Sequence, residues 1–317
     1  MSTSDGTSPC CVPAGTGSGQ VPAPAPPVRA TSYRGQVRIE GGEFVLGDAF
    51  DEGYPADGEA PVHRVRLSTF HVDTTTVTNA AFAAFVKATG HVTTAEREGS
   101  SAVFHLDYAG DGADVLGQPA ATPWWLGVRG ADWRHPEGAG SDVTRRQNHP
   151  VVHVSHDDAV AYAAWAGKRL PTEAEWEAAA RGGLEGSRYP WGDELLPRGR
   201  WMCNIYQGQF PVENTCEDGW SSTAPVKTFA PNGYGLHQVA GNVWEWCADW
   251  FDPGYYATSP AADPAGPETG THRVMRGGSY LCHASYCFRY RVDARSGNTP
   301  DASAGNIGFR VAAGPSE

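Results

Sequence analysis

A chain of 317 residues is long enough to bury a sizeable core in one large domain or two modest ones. Its net charge of −12 at pH 7 argues against a broad surface for nucleic acid or an anionic membrane, and it has no stretch of about 18 apolar residues that would span a membrane. The 39 glycines, 24 prolines and 11 tryptophans, with only 19% charged residues, predict a loop-rich structure held together by aromatic side chains.

Composition divides the chain into a tail and one domain. Residues 1–33 are rich in Pro, Gly and Ser and are expected to be disordered, because they carry almost no large apolar side chains. Residues 34–314 show no repeat and no boundary, so they are predicted to be a single domain, with 315–317 as a second tail. The first 30 residues lack the features of a secretory signal peptide, and seven unevenly spaced cysteines do not resemble a secreted disulfide framework. Both observations predict a cytoplasmic protein.

The first predicted elements are strands followed by a helix. Short β-type runs at 37–39 and 44–46 flank a glycine pair, and 63–67 alternates polar and apolar residues. A helix is predicted to begin after Thr78 or Asn79, with its apolar residues three and four apart and a closing glycine at position 90.

Little periodicity is visible in 91–148, which is predicted to be a long functional loop or an aromatic-pinned surface excursion. Alternation in 151–154 predicts a strand. His149, His153 and His156 raise the question of a metal site, but a strand that passes into a helix would scatter their rings. Structural histidines are therefore the favoured interpretation.

Two helices are predicted next. Ser155 is a candidate N-cap for a helix over 157–166. Thr172 followed by Glu175 forms a capping box, and the glycine pair at 182–183 ends that second helix.

Beyond residue 184 the sequence shows turn residues and aromatics, with a closing strand predicted at 306–311. Cys282 and Cys287 are five positions apart, which leaves their sulfurs about 140° apart on a helix and on opposite faces of a strand. If the two thiols act together, the backbone between them must bend, and the glycine pair at 277–278 can help it approach. On spacing alone, two buried structural cysteines or an ordinary disulfide is the favoured interpretation.

Six motifs stand in the order that characterises the sulfatase-modifying-factor family. They are RLPTEAEWE (169–177), PWG (190–192), NGYGL (232–236), GNVWEW (241–246), RGGS (276–279) and GFR (308–310). The chain resembles that family over essentially everything after residue 37. The resemblance implies an α+β fold, a compact variant of the C-type-lectin type with little regular secondary structure.

Within that family, the formylglycine-generating enzymes are set apart by the pair Cys282 and Cys287. Three further segments reinforce the pair: PWWL (123–126), WRHPEG (133–138) and RSGNTPD (295–301). The chain has them all and resembles the prokaryotic, actinobacterial members. Eukaryotic relatives have structural disulfide cysteines at four positions that are Ala or Val in this chain, which agrees with a cytoplasmic protein.

The resemblance implies oxidation of a cysteine to Cα-formylglycine within a Cys-x-Pro-x-Arg motif of an unfolded or nascent sulfatase. Cys282 and Cys287 are implied to bind Cu(I), with the substrate thiol as a third sulfur ligand, O2 as oxidant and an external thiol as reductant. Two thiolates with no other evident ligand suit Cu(I), whereas zinc usually has four ligands. Ser279 is implied to orient the site, and Tyr286 is a further catalytic candidate beside the cysteines.

Substrate contacts are implied for four residues. They are His283, Ser303, Asn306 and Trp133. For His283, a packed or solvated structural side chain is an equal alternative. An acidic partner for the substrate arginine is physically expected, yet Ser100 stands where the family has an aspartate.

The resemblance also implies up to two structural calcium ions. The first set is Asn204, the carbonyl of Ile205, Asp218 and the carbonyl of Trp220; the second is Gln238, Gly241, Val243 and Glu245. Oxygen ligands of this kind are what Ca²⁺ prefers. Ordinary loop hydrogen bonding is the alternative, and Gln238 replaces a frequent family asparagine. Cys203 and Cys216 flank the first set and could pair.

Two other function classes remain to be weighed. One is a non-catalytic paralogue on the same lectin-like fold that binds sulfatases or peptides, and the intact cysteine pair argues against it. The other is an iron-dependent sulfoxide synthase, which would need a helical domain with a His-rich iron motif that this chain lacks.

Overall fold

A computed structural model describes Pro13, Gly15 and residues 32–314 of the chain. The predicted tails, 1–33 and 315–317, lie almost wholly outside the described residues. The described strands are Gln36–Ile39 (β1), Gly42–Leu46 (β2), His63–Leu67 (β3), Phe70–Asp73 (β4), Ser100–Phe104 (β5), Val115–Gly117 (β6), Trp125–Arg129 (β7), Gly208–Gln209 (β8), Glu213–Asn214 (β9), Trp244–Trp250 (β10), Arg273–Arg276 (β11), Arg295–Asn298 (β12), Ile307–Gly308 (β13) and Ala312–Ala313 (β14). The described α-helices are Asn79–Thr89 (α1), Thr94–Glu98 (α2), His156–Trp165 (α3) and Glu173–Arg181 (α4). Short strands and few helices confirm the expected α+β fold with little regular structure.

Local capping explains where the helices begin. The side chain of Thr78 accepts a hydrogen bond from the third residue of α1, and Gly90 ends that helix in the left-handed conformation. Complete capping boxes start α3 at Ser155 and α4 at Thr172. All three predicted helices are confirmed to within a residue or two.

Five small sheets surround these helices. The sheet that positions the cysteine pair has the strand order β12-β11-β10-β13, with β11 antiparallel to both neighbours and β10 parallel to β13. The chain leaves β11 at Arg276 and enters the segment that carries the cysteines. The remaining sheets are β1-β4-β14, β2-β3, β5-β7-β6 and β8-β9.

A buried network of arginines and carboxylates stabilises the end of this sheet. Arg276, fully buried, donates to Glu173 at 2.9 Å and to Glu177 at 2.5 Å, and Arg295 also pairs with Glu173 at 2.7 Å. Removing one partner of such a buried pair typically costs about 3–5 kcal/mol, because the other charge is left unpaired. The network therefore ties α4 to β11 and β12.

Several sequence predictions about strands are wrong. The segment 91–148 contains α2 and the sheet β5-β7-β6, so it is not one long loop. No strand forms at 151–154, and the predicted closing strand at 306–311 is reduced to β13. The turn-like motif at 241–246 instead runs into β10, the longest described strand. None of the described helices is both long enough and apolar enough to cross a membrane.

Candidate active site

A sharp turn brings the sulfurs of Cys282 and Cys287 together. The amide of Cys282 donates to the carbonyl oxygen of Ser279 at 2.9 Å, and that of Cys287 donates to the carbonyl oxygen of His283 at 2.7 Å. The backbone is thus bent between the cysteines, as the spacing argument required. The two Sγ atoms are 2.8 Å apart, and both residues belong to the larger hydrophobic core cluster.

The glycine pair before the turn is required by geometry. Gly277 and Gly278 have φ of +90° and +70°, where residues with side chains are strained. A Cβ at Gly278 would lie 2.7 Å from the carbonyl oxygen of Arg289. The glycines therefore let the chain that leaves β11 approach the backbone of Arg289 closely.

Ser279 links the turn to a neighbouring segment. Its amide nitrogen donates to Sγ of Cys282 at 3.3 Å. Its hydroxyl oxygen accepts from Nδ2 of Asn306 at 2.9 Å and from the amide of Leu281 at 3.3 Å. With these two bonds accepted, the hydroxyl proton is what Ser279 can offer to a bound group. Ser279 and Asn306, predicted separately, are brought together beside the cysteines.

Arg289 is a site residue that sequence reasoning missed. Its Nη1 lies 4.0 Å from Sγ of Cys287, while its Nε donates to the carboxylate of Asp57. The guanidinium also lies over the ring of Tyr54, 4.1 Å from its centroid. A fixed cation thus stands beside the sulfur pair. The position of the arginine two residues after Cys287 was a usable signal, but its partner Asp57 is 232 residues away.

Aromatic rings form the surface around Tyr286. Its ring stacks on Phe210 with centroids 4.4 Å apart and packs edge-on against Trp124 at 4.7 Å. His283 lies nearby, partly exposed, with Nδ1 2.8 Å from the hydroxyl of Ser285, and partial burial lowers the pKa of its imidazole. Trp124 belongs to a motif already singled out, whereas Phe210 gave no sequence signal.

Ser303 belongs to a chain of polar contacts that leads inward. Its hydroxyl is 2.7 Å from that of Ser101, which in turn is 2.8 Å from Nδ1 of His153. The other ring nitrogen of His153 is 2.9 Å from the carbonyl oxygen of Pro136, and burial lowers the pKa of this imidazole to about 4. His149 and His156 also have hydrogen-bond partners, so the structural interpretation of the three histidines is confirmed.

Trp133 lies apart from this group. It is 3% exposed and packs edge-on against Phe82 in the core, with ring centroids 5.3 Å apart. The guanidinium of Arg134 covers its other side at 4.2 Å. The structure therefore places Trp133 among core side chains.

Oxygen ligands are available at the first predicted calcium site. The side-chain oxygen of Asn204 is buried and accepts no hydrogen bond from the described residues. Oδ2 of Asp218 and the carbonyl oxygen of Ile205 both face the side-chain amide of Gln207. Trp220 donates its amide to the other oxygen of Asp218 at 2.9 Å. These oxygens are of the kind that Ca²⁺ prefers, and Gln207, which sequence reasoning missed, would add another if its amide were turned to present Oε1.

The second predicted calcium site fits less well. The side-chain oxygen of Gln238 is buried and has no hydrogen-bond partner among the described residues, which suits a cation. Gly241 lies against Asn204 of the first site, and Val243 is buried next to it in sequence. The carboxylate of Glu245, however, is held by Arg310 through two 2.6 Å bonds. Those bonds occupy part of the carboxylate, and its role as a calcium ligand stays a prediction.

The cysteine turn offers two adjacent sulfur atoms, Sγ of Cys282 and Sγ of Cys287, as candidate metal ligands. In the residues the structure covers, no three His, Cys, Asp or Glu side chains cluster as they would around a metal. Two buried sulfurs without such a cluster suit a soft ion of low coordination number better than zinc. Cys203 and Cys216 are both free thiols, so the structure does not pair them.

Comparison with known proteins identifies relatives over nearly the whole chain. A family model described as the sulfatase-modifying factor enzyme 1-like domain matches residues 22–314. A formylglycine-generating enzyme of Streptomyces coelicolor is 72% identical over 91% of this chain and 92% of its own length. One of Thermomonospora curvata is 63% identical over 89% and 94%. The structure of PvdO from Pseudomonas aeruginosa matches with a TM-score of 0.63 at 24% identity, over 87% of this chain and 93% of that one, which shows the fold alone.

These matches confirm the predicted sulfatase-modifying factor fold. They cover the motifs from which the resemblance was drawn, including the cysteine turn. The chain belongs to the sulfatase-modifying factor enzyme family, among formylglycine-generating enzymes of the actinobacterial type.

Proposed function

We propose that this protein is a copper- and O2-dependent oxidase that converts a sulfatase cysteine to Cα-formylglycine. The substrate is an unfolded or nascent sulfatase, recognised through Cys-x-Pro-x-Arg, in the cytoplasm. The observation that carries the proposal is the buried Cys282–Cys287 pair, whose sulfurs are 2.8 Å apart in a chain 72% identical to a formylglycine-generating enzyme.

The reaction balances with one dioxygen and two external thiols. The substrate –CH2SH group loses two electrons and two protons to give a thioaldehyde. The two external thiols lose two more electrons and form a disulfide, and dioxygen takes up all four electrons and four protons as two waters. One water then hydrolyses the thioaldehyde to the aldehyde and releases hydrogen sulfide.

Copper is proposed to bind Cys282 and Cys287. When bound there, Cu(I) supplies the redox centre at which dioxygen and the substrate thiol react. The chain's own contribution is to hold both sulfurs in one buried turn and to keep bulk water away from them. The guanidinium of Arg289, fixed by Asp57, offsets negative charge on the sulfurs.

Ser279 and Asn306 are proposed to position the reacting groups. Asn306 holds the hydroxyl of Ser279, and the amide of Ser279 holds Sγ of Cys282. The peptide is proposed to lie across Ser303 and the aromatic surface of Tyr286, beside His283. Calcium at the Asn204 site is proposed to have a structural role, because its candidate ligands Asn204 and Asp218 belong to separate loops that the ion would join.

Peptide oxidation tests the function directly. Reduced protein is incubated with Cu(I), dioxygen, a thiol and a Cys-x-Pro-x-Arg peptide, and mass spectrometry follows the mass change from –CH2SH to –CHO. We expect conversion by the wild type and a loss of at least 100-fold in kcat/KM for Cys282→Ser and Cys287→Ser.

Cys247→Ser is the matched control, because Cys247 is as deeply buried but lies in β10, and burial raises the pKa of its thiol well above the usual value. It should retain activity. If Cys282→Ser and wild type convert the peptide equally, the copper proposal is lost. If reduced, copper-loaded wild type binds the peptide without converting it, the chain is a non-catalytic paralogue.

A further inference from the structure

The N-terminal segment contains a partial copy of the proposed substrate motif. Residues 11–15 read Cys-Val-Pro-Ala-Gly, which matches Cys-x-Pro-x-Arg except for Gly15 in place of arginine. With seven cysteines and 24 prolines in 317 residues, one Cys-x-Pro triplet would arise by chance about half the time, so the match alone decides nothing. The segment also precedes residue 22, where the family match begins.

Pro13 and Gly15 of this partial motif contact the chain at the end of β12. Nδ2 of Asn298 donates to the carbonyl oxygen of Pro13 at 3.4 Å. The amide of Gly15 donates to the hydroxyl of Thr299 at 2.8 Å. The tail uses a main-chain carbonyl and a main-chain amide, two residues apart, and its partners are the side chains of Asn298 and Thr299 at the end of β12.

The contacted segment leads to the candidate active site. It begins at the end of β12 with Asn298 and Thr299 and continues to Ser303 and Asn306, two of the four residues predicted to contact substrate. Asn306 then holds the hydroxyl of Ser279, and the amide of Ser279 bonds Sγ of Cys282. The tail contacts and the substrate residues thus share one nine-residue stretch.

Gly15 also lies against a carboxylate. A Cβ added to it would be 2.3 Å from Oδ1 of Asp301. Glu98 lies near enough to Asp301 for the two charges to interact: burial, and after it the negative charge of Asp301, raises the pKa of Glu98. Gly15 takes the place of the arginine when residues 11–15 are aligned with Cys-x-Pro-x-Arg. The arginine of a substrate would therefore lie beside Asp301 and Glu98. Such a pair supplies the partner that Ser100 cannot.

We propose that Pro13 and Gly15 anchor the tail at the peptide groove as an intramolecular pseudosubstrate, with Gly15 where the substrate arginine would lie against Asp301. The proposal rests on the proposed function for the motif it imitates. Because the tail is tethered, its effective concentration is high, and even a weak tail competes with free peptide. Lacking the arginine, the tail is displaced by a complete motif.

Peptide binding tests the competition without any turnover. A fluorescent peptide with Ser in place of the motif cysteine is titrated into wild type, Gly15→Glu and Gly19→Glu, and anisotropy gives Kd. Gly15→Glu puts a side chain and a negative charge onto Asp301 and expels the tail, so Kd should fall at least threefold. Gly19→Glu adds the same charge four residues away and should leave Kd unchanged. Equal Kd values for all three proteins would overturn the proposal.

Asp301→Asn tests the register. We expect it to weaken binding of the arginine peptide at least fivefold, but to leave unchanged the binding of a peptide with Ala in place of the arginine. Equal losses for both peptides would show that Asp301 does not face the arginine and would overturn the proposed register.

Completing the motif provides a test by gain of reaction. Gly15→Arg creates Cys-x-Pro-x-Arg in the chain itself, and copper-loaded protein should convert Cys11, but not Cys10, at a rate independent of protein concentration. A rate proportional to concentration, or no conversion by an enzyme that converts free peptide, contradicts intramolecular binding. Failure to convert any peptide counts against the proposed function instead, while the anisotropy result still decides the pseudosubstrate.

Discussion

Replacing His153 with asparagine should flatten the pH dependence of stability. His153 is wholly buried, and its φ of +57° is a conformation that asparagine tolerates better than most residues. The carbonyl oxygen of Pro136 can only accept, so Nε2 carries the proton and Nδ1 accepts from the hydroxyl of Ser101. The hydroxyl of Ser303 is then left to donate to Ser101.

The size of the effect follows from the pKa of His153. Burial lowers that pKa from 6.5 to about 4, so the folded protein binds the proton more weakly than the unfolded chain. The contribution of neutral His153 to stability is therefore complete above the unfolded pKa and is lost as the pH falls through the folded one. Between pH 7.5 and pH 4.5 the linkage relation gives a loss of about 2.5 kcal/mol, which His153→Asn cannot show.

Urea unfolding followed by tryptophan fluorescence measures this at pH 7.5, 6 and 4.5. The quantity of interest is the free energy of unfolding of wild type minus that of His153→Asn. Any cost of the substitution that does not depend on pH cancels when this difference is compared between pH values. It should shrink by about 2.5 kcal/mol from pH 7.5 to 4.5. Parallel curves for the two proteins would refute the assignment of His153 as a buried neutral imidazole.

Three further predictions concern buried charge and calcium. Arg276→Met should lower the free energy of unfolding by about 3–5 kcal/mol in urea titrations at pH 7, because it leaves the carboxylates of Glu173 and Glu177 buried with too few partners; an unchanged value would contradict the network. Burial raises the pKa of Asp107 to about 7, above its unfolded value of 3.8, so the stabilisation from the protonated carboxyl is complete below pH 3.8 and is lost as the pH rises through 7. In the same assay, the free energy of unfolding of Asp107→Asn minus that of wild type should therefore increase by about 3–4 kcal/mol from pH 4 to pH 8. A difference that does not change with pH would contradict this. Calcium at 100 times its Kd, added after chelation, should stabilise wild type by about 2.7 kcal/mol in calorimetry but leave Asn204→Ala unchanged, whereas equal shifts would exclude that site.

Helices could be predicted from sequence because their signals are local. The capping boxes at Ser155 and Thr172 lie within three residues of the helix ends they stabilise. Strands were harder, because β5 is formed by pairing with β7, whose residues lie about 25 positions later. The sequence of neither strand indicates which strand it pairs with, and for that reason the prediction of a loop over 91–148 was wrong.

The site residues also differ in whether their role depends on neighbouring or on distant parts of the sequence. Ser279, Cys282 and Cys287 share one short motif, so the sequence indicated that they act together. Arg289 lies in the same stretch, but its importance depends on Asp57, which is distant in sequence. Trp133 shows a different ambiguity: a tryptophan in a family motif suits either a groove or a core, and its packing against Phe82 favours the core.

The cysteine turn has little regular structure of its own, yet catalysis requires that its sulfurs be held in place. Buried ion pairs supply that rigidity on both sides. Before the turn, Arg276 is paired with α4, and after it Arg289 is paired with Asp57 and Arg291 with Glu59 at 2.6 Å. These pairs join the turn to α4 on one side and to residues 57–59 on the other, so the backbone on both sides of the cysteines is fixed. Charged side chains that composition alone would place at the surface therefore act, in this fold, as the frame of the active site.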